Sequence, residues 1–161
     1  MRDLKIAGEE KELNAAIVNA VKLHGHLGPF LVVGVRIGGV AKKVFNQDAE
    51  DSVRFRVTVK VPLVIPFSCT IDGIQAATRC TLGNQRLRIE NTRKQIFAIF
   101  RAENSDHVVR ISVNPRVMRE LMRKMSAGIG NDELAGEIAA MPERQLFTIE
   151  KECAISAARG W

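Results

Sequence analysis

Cysteine and histidine are scarce in this 161-residue chain, three of each, and aromatic residues make up only 5% of it. Cys69, Cys80 and Cys153 are odd in number and far apart, which argues against a disulfide framework and leaves them as thiols or metal ligands. None belongs to a Cys-x-x-Cys pair, so a zinc ribbon around Cys153 is not supported. With few aromatics, and none set among basic clusters, a stacking platform for single-stranded nucleic acid is not supported either. No apolar run reaches the roughly 18 to 20 residues that a membrane span needs. The opening "MRDLKIAGEEKELN" lacks the apolar centre of a secretion signal, and the expected location is the cytoplasm. A P-loop, a dinucleotide-binding Gly-x-Gly-x-x-Gly after a strand, a Gly-x-Ser-x-Gly elbow and a His-Glu-x-x-His motif are missing, and with them the common nucleotide and hydrolase signatures.

What is present suits one globular domain: 46% hydrophobic and 26% charged residues in a length that a single core fills. The net charge of +6 admits a polyanionic partner. The basic residues are spread along the whole chain, however, and nucleic acid is not the expected partner.

Leu13, Ile17, Val21 and Lys22 recur at helical spacing and Gly25 ends the helix. "FLVVGVRIGGVAKKVF" is apolar nearly all round and predicts a buried second helix, with Pro29 in its first turn and Lys42-Lys43 at the negative end of its dipole. Gly34 and Gly38, one turn apart, permit a close helix contact that could lie between subunits. Val53, Phe55, Val57, Val59 and Val61 alternate with Arg54, Arg56, Thr58 and Lys60, the pattern of a strand that Pro62 and Pro66 stop or confine to an edge. A third helix is expected from near Cys69 to Gly83. "RLRIE", "QIFAIFRAE" and "HVVRISV" read as short antiparallel strands, with turns at Asn91-Thr92 and Asn104-Ser105-Asp106. Asn114-Pro115 launches a helix that Gly128 and Gly130 end. Another helix starts at Asn131 or Asp132, and "RQLFTIEKECAI" is a last strand. His107 opens its strand without a local partner and reads as structural. The order of elements predicts an α+β fold, with N-terminal helices on a mainly antiparallel sheet. Residues 1–128 form its core domain, and 129–161 add a helix and strand that are not an independent domain.

Two constellations carry chemistry. In "LHGHLGPF", His24 and His26 cannot share one face of a continuous helix but can converge in a turn that Gly25 and Gly28 allow. Two imidazoles there suit metal binding or proton transfer; they equally suit a helix C-cap in which one histidine bonds the last carbonyls. In "CTIDGIQAATRCTLGNQR", a cysteine at a helix start feels the positive end of the dipole, so Cys69 is expected to be the more reactive thiol. On one unbroken helix Cys69 and Cys80 would lie about 16 Å apart, too far to share an ion, and Cys80 is expected in the core.

Taken in order, "HGHLGPFLVVGVRIG" and "CTIDGIQAATRCTLGNQRL" resemble the FmdE-like family, that of the E subunit of formylmethanofuran dehydrogenase. That family has a His-Gly-His-Leu-Cys-Pro-Gly segment opening a helix. A second segment follows, of the form Cys-x-x-Asp-(Ala/Gly)-Ile-Gln-x-x-Thr-Gly-Cys-Thr-x-Gly-Lys-Gly-Asn. The likeness covers roughly residues 10 to 120. It implies an intertwined α+β homodimer with a cavity between subunits, and a bound Zn²⁺ or similar divalent transition metal. By position, His24, His26 and Cys69 become the metal ligands, and Asp72, Gln75, Arg79, Cys80, Thr81 and Arg86 become cavity or supporting residues. Catalytic residues are not assigned. The resemblance further implies a link to one-carbon or formyl metabolism and association with a larger redox enzyme. A second expectation is a non-catalytic accessory or ligand-binding module, holding a small anionic or pterin-like molecule against Arg79 and Arg86. Three departures stand out: Gly28 replaces the family's cysteine, the lysine and glycine after Gly83 are lost, and a cysteine-rich tail found in longer relatives is absent.

Overall fold

The structure is a computed structural model that describes residues 2–46 and 54–153. Helices α1 (Arg2–His24) and α2 (Pro29–Asn46) lead into strand β1 (Phe55–Val61) and helix α3 (Cys69–Thr78). Strands β2 (Leu87–Asn91), β3 (Phe97–Ala102) and β4 (His107–Val113) follow. Helices α4 (Pro115–Ser126) and α5 (Asn131–Ala140) and the short α6 (Glu143–Leu146) precede the last strand, β5 (Phe147–Cys153). Val53, expected to open the first strand, and the chain after Cys153 lie outside the described residues.

The strands form one sheet in the order β2-β1-β3-β4-β5. Three of the four pairings are antiparallel, as expected, but β2 runs parallel to β1, from Val57 opposite Leu87 to Val61 opposite Asn91. Parallel neighbours need a crossover connection, and α3 with its flanking turns supplies it. β1 is therefore flanked on both sides, and Pro62 stops its ladder rather than marking an edge.

Alternation assigns the two faces of the sheet. Phe55, Val57, Val59 and Val61 are buried in the core with Ala98, Phe100, Val109 and Ile111, on the side covered by helices. The other side carries Arg56, Lys60, Arg101 and Arg110. Two of these cations pair with acids, Arg56 with Glu103 and Lys60 with Glu90, and the Arg110 guanidinium lies 3.9 Å over the Phe97 ring.

Gly34 and Gly38 of α2 meet α3 of the same chain. A Cβ on Gly34 would strike the Thr70 carbonyl and come within 2.9 Å of the Gly73 Cα, and one on Gly38 would lie 2.6 Å from the Ala77 Cβ. Gly73, unfavourable in a helix by propensity alone, is required here because a Cβ would strike the Leu31 carbonyl. Helix α1 uses only its second half: Leu13, Ala16, Ile17, Ala20 and Val21 pack with Leu31, Val35 and Ala77, while residues 5–12 are all exposed.

Asn114 caps α4 as predicted, its side chain accepting from the Arg116 N–H at 3.0 Å with Pro115 in the first turn. Beyond α4 the chain rejoins the same core. β5 pairs with β4 from His107 opposite Cys153 to Val113 opposite Phe147. Leu134, Ala135 and Ile138 of α5 are buried, and Arg36 of α2 donates to the Ile138 carbonyl at 2.9 Å and to that of Met141.

Candidate functional site

His24 is the last residue of α1. Gly25, at φ +100°, takes the chain out of the helix, and its N–H donates to the Val21 carbonyl at 2.7 Å. Glycine adopts that conformation without steric cost, so the helix is closed by Gly25 and needs no histidine cap. The reversal brings His26 back beside His24, with ring centroids 4.5 Å apart and planes tilted by 42°.

The His24 Nδ1 lies 2.7 Å from the Asp72 Oδ2, across 48 residues of sequence. An aspartate carboxylate only accepts, so Nδ1 is the donor, and in the neutral ring Nε2 would then keep its lone pair. That Nε2 is buried and has no hydrogen-bond partner among the described residues. A buried polar atom without a partner costs about 1–3 kcal/mol, and such an atom marks a place where a ligand would restore the balance.

Around this pair lies a cavity of about 520 Å³. From α3 come Cys69, Asp72 and Gln75, spaced by three so that they share one helix face. Apolar walls come from Phe30, Ile65, Ile71, Ile89 and Met125, with Asn131 at the start of α5. Gly28 is buried in the same wall, and a Cβ there would meet nothing within 4 Å. Among the described residues, no lysine or arginine lines the cavity.

The thiol of Cys69 departs from expectation. α3 does begin at Cys69, yet burial and, after it, the charge of Asp72 push the thiol pKa up, outweighing the backbone hydrogen bond that lowers it. Desolvation and a neighbouring carboxylate both disfavour the thiolate, and together they exceed the helix-start effect.

The second motif is divided between two places. α3 ends at Thr78, five residues before Gly83, because Arg79 takes a left-handed conformation at φ 58°. The Thr78 hydroxyl donates to the Ile74 carbonyl at 2.6 Å and accepts from the Cys80 N–H at 3.2 Å, which fixes the break. Cys80 is fully buried in the core, as expected, and its thiol donates to the Phe55 carbonyl at 3.4 Å; burial pushes its pKa up. Arg86 donates to the same carbonyl through Nε at 3.1 Å and Nη2 at 2.9 Å. Thr81 and Asn84 bond each other reciprocally, at 3.0 and 3.1 Å, and Asn84 donates to the Arg79 carbonyl. Arg79, Cys80, Thr81 and Arg86 thus tie the end of α3 to the start of β1. They stand at the C-terminal end of that helix, away from Cys69 and Asp72 at its start, with Gln75 in the last turn between them.

Imidazole, thiol and carboxylate groups, the donor types that transition metals take, share the cavity. His24 has the carboxylate–histidine arrangement that orients imidazole ligands in metal sites, and His26 and Cys69 share its cavity. Among the described residues, no three His, Cys, Asp or Glu side chains are grouped closely enough to hold an ion.

A mixed sheet covered on one face by helices, with a histidine turn and a Cys-x-x-Asp helix face on one cavity, defines a small α+β protein built around that cavity. The family model described as FmdE, molybdenum formylmethanofuran dehydrogenase operon, matches residues 23–153, and the chain belongs to this family. A probable S-adenosyl-L-methionine-binding protein of Archaeoglobus fulgidus is 32% identical over 127 residues, 78% of this chain and 34% of that one, so the chain spans about a third of this relative's length. The crystal structure of an FmdE-like protein of the tungsten formylmethanofuran dehydrogenase type, from Syntrophus aciditrophicus, aligns with a TM-score of 0.63 at 14% identity. That alignment covers 89% of this chain and 73% of the other, a likeness of fold. Among the described residues, no helix is long and apolar enough to cross a membrane.

Proposed function

We propose that this protein is a cytoplasmic, homodimeric metal-binding member of the FmdE family. His24 Nε2, His26 and Cys69 contribute to a Zn²⁺ or similar divalent site in a cavity at the boundary between the two copies. The single observation that carries the reading is His24: its Nδ1 is held by Asp72, its Nε2 is buried without a partner among the described residues, and its ring lines the cavity. When bound, a metal with an open position supplies Lewis acidity to a carbonyl or activates water. The chain's own residues do the rest. Asp72 fixes the tautomer and direction of His24, Gln75 and Asn131 offer hydrogen bonds, and Phe30, Ile71 and Met125 exclude water from the bound molecule. By family, the chemistry served is one-carbon or formyl metabolism, alongside a larger redox enzyme.

The test is elemental analysis by plasma mass spectrometry on full-length protein reconstituted with Zn²⁺ and desalted. We expect about one metal per protomer by the four-coordinate logic of such sites, lost in His24→Ala/His26→Ala. Wild-type protein that retains no metal would overturn the reading.

A second reading concerns the organic ligand. Among the described residues, the cavity is lined by Asp72 and by no lysine or arginine. A neutral or cationic molecule suits it better than an anionic one. S-adenosyl-L-methionine, the ligand in the name of the Archaeoglobus relative, is a sulfonium cation of that kind. Calorimetric titration should show it binding wild type more tightly than Asp72→Ala; equal affinities would dismiss this reading.

A further inference from the structure

We propose that two copies of this chain join edge to edge through β2, forming one sheet across a two-fold axis at Ile89. The inference rests on the homodimer of the proposed function and names the surface that makes it.

Among the described residues β2 is an edge strand, paired only with β1. The Val57 N–H donates to the Arg86 carbonyl and the Thr92 N–H to that of Val61, so even-numbered positions turn their backbone inward. Leu87, Ile89 and Asn91 turn theirs outward. The Leu87 N–H is taken by the Thr81 carbonyl, which leaves the Ile89 N–H and C=O, the Asn91 N–H and the Leu87 C=O along the rim. Those groups match an antiparallel copy centred on Ile89, with Ile89 bonding Ile89 of the second copy and the Asn91 N–H reaching the other Leu87 carbonyl.

The charges select this register. About Ile89, the sequence Leu87-Arg88-Ile89-Glu90-Asn91 places each Arg88 opposite the other copy's Glu90, in the close, non-hydrogen-bonded type of pair. The opposite edge of the sheet fails the same test. Pairing β5 about Lys151 would set Glu150 against Glu152 of the second copy, and pairing about Glu150 would set that residue against itself. Exposed charges on an edge are a common guard against association; on β2 they admit one partner, an identical strand.

The surroundings of β2 are apolar where a guarded edge would be polar. Leu63, Val64, Ile65 and Leu82 are 49, 58, 84 and 62% exposed, and Leu63, Leu82, Leu87 and Ile89 line a groove along the strand. The Leu63 loop is fixed in this position, its N–H donating to the Asn91 Oδ1 at 3.0 Å. Ile89 lines both this groove and the histidine cavity, and Ile65 lines that cavity while largely exposed. Docking at β2 therefore completes the cavity wall and sets the two cavities on either side of the axis.

Sedimentation velocity over a concentration series on full-length protein tests the proposal, with circular dichroism to check folding. The wild type should sediment as a dimer. Arg88→Glu and Glu90→Arg should each weaken dimerisation roughly tenfold or more, since two symmetric pairs change from attraction to repulsion. The double reversal should regain most of that loss, even though Glu90 also leaves Lys60 and Arg88 gives up its own contact within the chain. A folded wild type that is monomeric at tens of micromolar overturns the proposal, and so does a dimer indifferent to both single reversals. Metal content in the same fractions is a separate readout. A dimer that obeys the charge pattern but holds no metal would sink the metal reading alone.

Discussion

The two nitrogens of His24 have different tasks, and each can be addressed by substitution. Asp72 accepts from Nδ1 and so fixes the direction of the ring that lines the cavity. Replacing it by asparagine keeps the shape but no longer enforces the tautomer, and we expect metal affinity to fall about 10- to 100-fold, as for other supporting carboxylates. Competition against a chromophoric chelator measures it, and unchanged affinity would remove Asp72 from the site. Gly28 allows a gain. It stands where the family resemblance has cysteine, and a side chain there meets open space. Gly28→Cys is expected to add a thiolate donor and to retain Zn²⁺ against a chelator that strips the wild type; retention no better than wild type would mean that position 28 lies out of reach of the ion. At this scale the sequence was partly legible. The pairing of His24 with His26 follows from a two-residue spacing and a glycine. The bond to Asp72 spans 48 residues and exists only because α1 docks on α3. Arg79 and Arg86 attracted a ligand role through their charge, which does not reveal that one breaks a helix and the other binds a strand carbonyl.

Among the elements, the α2–α3 contact sets the site's geometry. His24 lies at the junction before α2, and Cys69 and Asp72 open α3, so the separation of these two helices fixes the separation of the donors. That separation is set by Gly34 and Gly73, each of which excludes a Cβ because the facing backbone is in the way. Gly73→Ala should therefore cost about 1–3 kcal/mol, the usual penalty of overpacking, and lower metal retention as well. Urea unfolding reads the first, and a midpoint equal to wild type would show that the helices can part without loss. Periodicity revealed that α2 is buried and that its glycines mark a close approach, but not which helix approaches, because a pattern in one element carries no address for its partner. The direction of β2 was hidden for the same reason. "RLRIE" reads alike in either sense, and only the crossover through α3 makes it parallel.

For the molecule as a whole, Leu134, Ala135, Ile138, Leu146 and Phe147, all after Gly128, belong to the common core. Seven residues of β5 complete the sheet beside β4, and α5 inserts Leu134 and Ile138, both fully buried, over α2. Without this segment β4 becomes an edge and α2 is uncovered. A chain ending at residue 128 is expected to lose its cooperative thermal transition; a sharp unfolding transition in that truncation would show that the core closes without β5.

Helix α1 joins two unlike halves, bare over residues 5–12 and anchored from Leu13 onward. Its backbone amides should exchange with solvent deuterium along a gradient, fastest in the leading turns and slowest near Val21, since short unsupported helices fray from their free ends. His24 sits at the slow end. Thermal opening that begins at the free end is spent in the bare turns before it reaches the imidazoles, so α1 can loosen over half its length while the pair of histidines keeps its place.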